Sequence, residues 1–545
     1  MDAKFPRRDG HVCFRLSEVD FVPQWLKNAK NRPRPSRGYT MSSLSKQVLE
    51  AFSAFVATDL VFREELSRMM KGEEWDGCFN RSKSNDADMH GECNTDKVRI
   101  WKACFDSLVC CSIDHNPGDS LVCCPVVYRQ GMEVMFLKTI GFEICLKKED
   151  DVNFENGKKF GELGVRNLGK WNSRGRLGMC YVILKLKDTR KWRPICPTYY
   201  EGGVVASKRV ARVVNQLLWD LPSGSNFNMR STEELVKRIS DANKGLLPGE
   251  KFVTAAFDIK EMFCNLSHDA VLDAVGWIID YWLLQRAKGV MLKNRGKEAK
   301  VRMRDVQIGW MDVSFDDVMR FVKFDLECTF VMVGGVVLKQ RIGIPMGKAS
   351  SPALACLLTA YSEFTFLNSL GSMRLMTYGA RIVDDVSIFV RCKKTDATSR
   401  LRVEQVILCF EDCYHENLTL ERTDKGRFWE FLGCIVGTEE VTNELVCVAT
   451  HKNQAMVKGG LLVFQNLQDF CTYSGRQQKL AVISSFLYRA KRYTTFKGAE
   501  AVFLLTLKMG LRMRGFPDDY FDTALKTFSD KFEGIWEDCV ECFTG

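Results

Sequence analysis

The sequence lacks any long hydrophobic run. No apolar stretch reaches the roughly 18 residues that a membrane-spanning helix requires, and residues 1–9 lack the apolar core of a signal peptide. We therefore expect an intracellular protein without a membrane partner. Its 22 cysteines are expected to be mostly reduced thiols.

Paired zinc-binding motifs are also missing. Cys539 and Cys542 form the only CxxC, with no second pair at zinc-finger spacing, and His90 and Cys93 are similarly isolated. Because a structural zinc site needs four ligands, we expect none here. No internal repeat is visible.

The chain is large and basic. Its 545 residues suggest three or four domains or subdomains, and 78 basic against 68 acidic residues give a net charge of +10 that fits a polyanionic partner. Basic clusters interleaved with aromatics, as at 185–193 and 488–493, are typical of nucleic-acid grooves. The Pro/Arg-rich residues 1–40 fit a nucleic-acid-contacting or nuclear-targeting segment and equally a solvated linker.

Two adjacent acids interrupt the apolar, β-branched stretch 381–390. Asp384 and Asp385 predict a β-hairpin with the acids at its tip, and a simple polar turn is the alternative. Asp258 follows the apolar residues 252–257 and is predicted to end a buried strand. Three carboxylates from two strands can share two Mg²⁺ ions, an arrangement that supports in-line phosphoryl transfer.

Other segments accompany these acids in a fixed order. A basic strand pair containing Arg193 comes first, then the strand that ends at Asp258, a basic insertion at 288–304 and a Gly/Pro/Ser loop at 345–352 that opens a helix. The acidic hairpin, Lys425 and Phe431-Leu432-Gly433 follow. Between about 114 and 437, this order resembles the fingers and palm of reverse transcriptases.

The resemblance implies roles in catalysis. Asp258 and Asp384 would be the principal metal ligands and Asp385 the weaker third, for two Mg²⁺ ions or, alternatively, Mn²⁺. The backbone at Ile259 would complete this metal site and approach the incoming triphosphate. Lys425 would protonate or neutralise the leaving pyrophosphate.

It also implies contacts to the nucleotide, the template and the primer. Arg193 would clamp the triphosphate bidentately, with Lys185 and Lys187 as weaker candidates. The loop that would line the template base and the nascent pair contains Gly343, Pro345, Met346 and Gly347, and the primer grip would be Phe431, Leu432 and Gly433.

Phe263 lies five positions after Asp258, where reverse transcriptases carry an aromatic steric gate. A flat ring under the sugar would exclude a 2′-hydroxyl and favour deoxynucleotides. RNA-directed RNA polymerases are expected to carry a polar group there. The alternative interpretation is that Phe263 is an ordinary core residue.

Within reverse transcriptases, the chain resembles Penelope-like elements, which are related to telomerase. The similarity lies in residues 114–128, where His115 replaces the usual lysine, in Met346, and in residues 479–490 and 512–517 of a helical thumb. It departs from the family at Ile382, where an aromatic is usual, and at Lys348, where a small serine is common.

Only about 20 residues follow the thumb, which leaves no room for a GIY-YIG endonuclease, and no RNase H acid set is visible. The chain therefore resembles the endonuclease-deficient branch, which is thought to extend pre-existing DNA ends, and a truncated or domesticated copy is the alternative. The proposed DNA substrate and the basic N-terminal segment predict a nuclear location, with the cytoplasm as the second choice.

The expected fold is α+β, a right-hand polymerase with fingers, a palm built on an antiparallel sheet and a helical thumb. A mainly helical N-terminal extension would occupy 1–105, the fingers 106–250, the palm 251–440 and the thumb 441–545.

The expected activity is an RNA-directed DNA polymerase with an RNA template, a DNA primer and dNTPs as partners. An RNA-directed RNA polymerase and a non-catalytic RNA-binding protein are the alternatives. The sequence does not indicate the template RNA, the priming site or the oligomeric state.

Overall fold

Helices and strands alternate along the chain in the computed structural model, which confirms the mixed α and β class. The residues that the structure describes are 5–35, 50, 64–65, 68, 93–114, 118–186, 188, 190–424, 427–451 and 467–544. Four residues named above, His90, His115, Lys187 and Lys425, lie outside them. No helix of this described part is long and apolar enough to cross a membrane.

The strands, in chain order, are β1 (Arg7–Arg8), β2 (His11–Arg15), β3 (Val109–Ser112), β4 (Ser120–Cys123), β5 (Phe142–Cys145), β6 (Gly178–Met179), β7 (Tyr181–Leu184), β8 (Trp192–Ile195), β9 (Glu250–Lys260), β10 (Val290–Lys293), β11 (Ala299–Val301), β12 (Trp310–Val313), β13 (Phe330–Val333), β14 (Val336–Gln340), β15 (Thr377–Ile382), β16 (Asp385–Lys393), β17 (Thr419–Arg422), β18 (Phe428–Phe431), β19 (Cys434–Thr438) and β20 (Leu445–Ala449).

The α-helices are α1 (Gln24–Lys27), α2 (Thr95–Cys104), α3 (Pro125–Met132), α4 (Glu149–Glu162), α5 (Val204–Trp219), α6 (Glu234–Lys244), α7 (Met262–Asn265), α8 (His268–Leu284), α9 (Phe315–Glu327), α10 (Ser351–Ser369), α11 (Ala397–Glu411), α12 (Arg476–Tyr493), α13 (Glu500–Met513), α14 (Asp518–Lys531) and α15 (Glu537–Thr544).

The chain divides into two compact units. The first combines residues 1–127, 455–485 and 507–545. It contains a four-stranded sheet in the order β1-β2-β4-β3, whose buried residues Phe14 and Val122 pack with Phe105 after α2. A buried ion pair between Arg514 and Asp469, 2.8 Å long, lies in the same unit.

The second unit combines residues 128–454 and 486–506. Its central sheet has the order β15-β16-β9-β17, with every neighbouring pair antiparallel. Alternate residues of β9 and β16, among them Phe257 and Ile388, are buried against α5, α8, α10 and α11 in one hydrophobic core, because successive strand residues point to opposite faces. The antiparallel sheet that the sequence predicts is thus present.

Two further elements follow the sequence pattern and one departs from it. Gly334-Gly335 predicts a hairpin turn, and β13 and β14 turn there with both glycines at positive φ; α10 follows the predicted Gly/Pro/Ser loop. The apolar residues 121–128 predict a strand after the turn at 114–119, but β4 ends at Cys123 and α3 begins at Pro125, the first helical position, which proline favours.

Candidate active site

Cross-strand register brings the three predicted acids together. Asp258 in β9 lies directly opposite Asp385 in β16, and the Ile259 N–H donates a 2.9 Å hydrogen bond to the carbonyl oxygen of Asp384. Residues far apart in sequence therefore occupy adjacent backbone positions at one end of the central sheet.

The structure corrects two details of the predicted hairpin and strand. Asp385 is not at the tip, because it pairs with Ile382 and begins β16, leaving Val383 and Asp384 as the turn. β9 does not end at Asp258 but continues to Lys260, since β17 pairs alongside it over this stretch.

A buried arginine supports the turn before Asp384. Arg381 has no solvent exposure, and its Nη1 donates to the Val383 carbonyl at 3.1 Å. Its Nε donates to Glu363 Oε1 at 2.5 Å, and the Tyr414 hydroxyl donates to the same oxygen at 2.8 Å. Burial alone would lower the pKa of Arg381, but the Glu363 carboxylate outweighs it and raises that pKa. The guanidinium is therefore a fixed cation beneath the turn.

Sequence reasoning missed a fourth acid and its cation. Glu421 in β17 lies opposite Asp258 on the side away from Asp385, so three acids form a row across three strands. Lys260 lies with its Nζ 3.3 Å from Asp258 Oδ2 and also forms an ion pair with Glu421. The pattern of residues 419–422 gave no signal for this register, which depends on pairing with a distant strand.

The side chains of the three predicted acids are of a type that binds metal ions. Carboxylate oxygens are the ligands that Mg²⁺ prefers, and the backbone positions of Asp258, Asp384 and Asp385 are adjacent. Within the part of the chain that the structure describes, however, no group of three or more His, Cys, Asp or Glu side chains is arranged to hold a metal ion. Lys260 instead supplies the positive charge beside Asp258.

The basic hairpin of β7 and β8 lies next to the end of β9. Arg193 pairs with Ile183 across the hairpin, and Lys185 Nζ is 3.7 Å from Glu261 Oε1, three residues after Asp258. Burial raises the pKa of the Cys264 thiol to about 11, while Lys185 and Arg193 act on it in the opposite sense. Both cations are thus close to the first turn after β9.

The predicted template loop is held between two segments. The Ile344 N–H donates to the Phe263 carbonyl at 2.8 Å, and the Cys196 N–H donates to the Met346 carbonyl at 2.8 Å. The loop therefore contacts α7 on one side and the residue after β8 on the other. The Phe263 side chain is half-buried and packs against the hydrophobic core.

Two glycines allow this close approach. Gly343 has φ of +78°, and a Cβ there would lie 2.6 Å from the Phe263 carbonyl oxygen. Gly347 has φ of +128°, and a Cβ there would lie 2.7 Å from the Cys196 carbonyl oxygen. Only glycine fits these positions without displacing backbone. Pro345 closes the loop through its carbonyl, which accepts from the Lys348 N–H at 3.2 Å.

Lys348, the departure noted above, ends the loop as a buried cation. Its Nζ lies 2.9 Å from Asp325 Oδ1 and 3.8 Å from Glu201 Oε2, and Ser350 Oγ donates to Asp325 Oδ2 at 2.7 Å. Burial would lower the pKa of Lys348, but the two acids raise it. Burial raises the pKa of Glu201 to about 7, against the lowering effect of Lys348.

The predicted primer grip is a tight turn between β18 and β19. Leu432 and Gly433 both have positive φ, and Phe431 before them is buried. Arg489 Nη2 donates to the Gly433 carbonyl at 2.6 Å. Trp429 in β18 donates through Nε1 to Ser387 Oγ at 3.1 Å, so this hairpin packs on the central sheet two residues from Asp385.

Comparisons with known proteins give structural neighbours and no sequence relatives. No protein-family model matches the chain, and no curated protein matches it at a significant level. Among solved structures, telomerase from Candida albicans with a TWJ fragment of telomeric RNA is 12% identical, with a TM-score of 0.45, covering 82% of this chain and 74% of that one.

Two further solved structures also match over about two thirds or more of both chains. Apo telomerase from Candida tropicalis is 13% identical with a TM-score of 0.45, covering 81% of this chain and 77% of that chain. The Sicinivirus 3Dpol RNA-dependent RNA polymerase is 11% identical with a TM-score of 0.39, covering 68% and 70%.

Proposed function

We propose that this chain is an RNA-directed DNA polymerase that extends a DNA 3′-hydroxyl on an RNA template. The observation that carries the proposal is the register that sets Asp258 opposite Asp385 and bonds Ile259 to Asp384. Strand ends do not gather carboxylates for stability, because neighbouring like charges repel one another. Nucleotidyl transfer, in contrast, needs a cluster of carboxylates that holds metal ions close to a triphosphate.

Asp258, Asp384 and Asp385, with the backbone at Ile259, would hold two Mg²⁺ ions, or Mn²⁺ in their place. Such ions, when bound, activate the attacking hydroxyl and neutralise charge on the phosphates. Lys260 partly neutralises Asp258 before a metal binds, since the two side chains form an ion pair. Glu421 forms an ion pair with the same Lys260 ammonium. This pair would hold Lys260 in place when Asp258 binds a metal ion instead.

The incoming nucleotide would lie between the basic hairpin and the template loop. Arg193 and Lys185 would bind its triphosphate, and Phe263 would lie under its sugar and exclude a 2′-hydroxyl. The loop from Gly343 to Gly347 would line the nascent pair. Its two glycines let the loop backbone pack closely against the backbone of Phe263 and Cys196. Lys187 and Lys425 keep their predicted roles as triphosphate ligand and pyrophosphate acid.

The primer would rest on the turn of Phe431, Leu432 and Gly433. This turn is rigid, because Arg489 binds the Gly433 carbonyl and Trp429 ties its hairpin to the central sheet. A Penelope-like origin and a nuclear location remain part of the proposal, supported by the sequence resemblance alone.

Primer extension tests the proposal. The full chain is supplied with a DNA primer on RNA or DNA template, with dNTPs or NTPs, and with Mg²⁺ or Mn²⁺. We expect extension by dNTPs on RNA. Extension by NTPs alone would instead favour an RNA polymerase, and no extension under any condition would favour an RNA-binding protein that keeps the polymerase fold.

A further inference from the structure

A strongly basic accessory sheet is left unused by the proposed reaction. Residues 288–304 contain seven basic residues and one acidic residue, and they form β10 and β11, which pair with β12 in the order β11-β10-β12. One face of this sheet is buried in the main core through Val290, Leu292 and Val313. The sheet is therefore a platform anchored to the core, and the turn and the loop that join its strands carry several of the charges.

Two acids of this platform, Glu298 and Asp312, are already engaged by its own cations, and a third, Asp305, is exposed in the loop between β11 and β12. Glu298 accepts from Lys293 Nζ at 2.9 Å, and Asp312 forms a 2.7 Å ion pair with Arg302. Lys300 Nζ lies 5.0 Å from the centre of the Trp310 ring, where the ring face attracts a cation. Glu298 and Asp312 are therefore not available to neutralise the other cations of the platform.

Those remaining cations face solvent. Arg295, Lys297, Lys300 and Arg304 are all exposed, and among the described residues no ion pair is found for Arg295, Lys297 or Arg304. Repulsion among these like charges is a cost that a bound polyanion would relieve.

Helix α5 extends the same surface. Arg212 Nη2 donates to the Glu298 carbonyl at 2.8 Å, so the helix adjoins the hairpin of β10 and β11. Arg209 lies on the same helix, close enough to Arg212 to lower its pKa in addition to the larger effect of burial. Two more like charges thus meet beside the hairpin.

We propose that this basic surface, defined as Arg209, Arg212, Arg295, Lys297, Lys300 and Arg304, binds the sugar–phosphate backbone of a nucleic acid strand. The choice of a nucleic acid over another polyanion rests on the proposed function. These cations lie on β11, in the turn between β10 and β11, in the loop after β11 and on α5. Cations distributed in this way can hold phosphates without reading bases. The surface would hold the template or the product strand during synthesis.

The test is equilibrium binding by the full chain in EDTA without nucleotides, followed by fluorescence anisotropy. The variant carries R295Q, K297Q, K300Q and R304Q. Its matched control carries K158Q, K237Q, K393Q and R402Q, which removes four equally exposed charges from α4, α6, β16 and α11. Thermal melts verify that both variants fold. The probes are single-stranded RNA, single-stranded DNA and an RNA–DNA hybrid, each in a series of salt concentrations.

We expect the variant to lose at least about tenfold in affinity near 0.1 M salt. The slope of log K against log salt should shrink by about 0.7 per lost contact on single strands, hence about 3 in total. The control should bind like the wild type. The probe with the largest loss identifies which strand the surface holds.

Unchanged affinity and slope in the variant would overturn the proposal, and so would an equal loss in the control, which would make net charge the cause. Wild-type binding that is tighter to polyglutamate or to anionic vesicles than to any nucleic acid would also overturn it. Since no metal or nucleotide is present, a chain that binds this way but does not extend primers refutes only the proposed function. A chain that extends primers but fails the binding test refutes only the surface.

Discussion

At the scale of single residues, the turn that carries Asp384 holds a backbone conformation that β-branched residues rarely adopt. Val383 has φ of +55°, which costs on the order of 1–3 kcal/mol. The Arg381 guanidinium offsets this cost by donating to the Val383 carbonyl while its other nitrogens bind Glu363. Arg381 therefore positions the turn, and through it the carboxylate of Asp384.

Arg381→Lys tests this positioning role. Lysine keeps the charge opposite Glu363 but lacks the planar fork that also reaches Val383. We expect a loss of about 1.5–3 kcal/mol in stability, the worth of a hydrogen bond to a charged group. We also expect at least a tenfold fall in kcat, with the KM for nucleotide unchanged.

Arg391→Lys is the matched control, since Arg391 is on the neighbouring strand β16 and forms an ion pair with Glu250 near the other end of the sheet. Thermal unfolding and steady-state extension of both variants give the comparison. An equal fall in kcat in the two would show that Arg381 acts only through stability.

Phe263→Ala distinguishes a steric gate from an ordinary core residue. If the ring excludes a 2′-hydroxyl, its removal should reduce the preference for dNTPs over NTPs by on the order of 10- to 100-fold. Phe364→Ala is the control, because Phe364 is also half-buried and its ring packs against Trp277 of α8. Single-nucleotide incorporation measures both. Unchanged selectivity in the Phe263 variant would assign this ring to the core.

Glu201 makes stability depend on pH. Its pKa rises from 4.5 unfolded to about 7 folded, chiefly through burial, so between these values the folded state binds more protons. The free energy of unfolding should therefore fall as pH rises from about 4.5 to 7, by at most about 1.4 kcal/mol per pH unit. Urea unfolding at several pH values measures this slope. Glu201→Gln should flatten it, and an unaltered slope in that variant would place the titration elsewhere.

At the scale of elements, the loop that begins at Gly343 is set by backbone contact. Gly343→Ala would place a Cβ 2.6 Å from the Phe263 carbonyl oxygen, so the loop or α7 must move. Gly334→Ala is the control, because Gly334 also has positive φ, +56°, but open space around it. Both variants incur about 1 kcal/mol of backbone cost.

We expect extension to fall at least tenfold in the Gly343 variant and to stay near the wild-type rate in the Gly334 variant, at similar thermal stability. Steady-state extension kinetics with melting curves provide the measurement. Equal activity in the two variants would mean that the loop does not line the reacting pair.

The same elements show what the sequence could and could not predict. The apolar run before Asp258 and the paired acids at 384 and 385 predict two strands and a hairpin, since periodicity and turn chemistry are local. The register of β17, which brings in Glu421, is not local, and neither is the burial of Lys348 between Asp325 and Glu201. Such partners lie far apart in sequence and meet only when the core packs.

At the scale of the whole molecule, residues from both ends of the chain share one compact unit, while the acids, the basic hairpin and the template loop all lie in the other. The predicted division into extension, fingers, palm and thumb stays a prediction. The second unit places the acids opposite one another in the central sheet, with Lys185 near the first residue after β9 and the Phe263 ring packed against the core.

The most direct test of the central claim is DNA synthesis on an RNA template by the wild type, by Asp384→Asn and by Asp280→Asn. Asp280 is an exposed acid on α8 in the same unit, so its variant controls for the loss of one charge. Template binding is measured in parallel to show that each protein is intact. We predict that the wild type and the Asp280 variant incorporate dNTPs, while the Asp384 variant binds template normally but loses at least about 1,000-fold in rate. Synthesis by the Asp384 variant at the wild-type rate would contradict the assignment of these acids as the catalytic group.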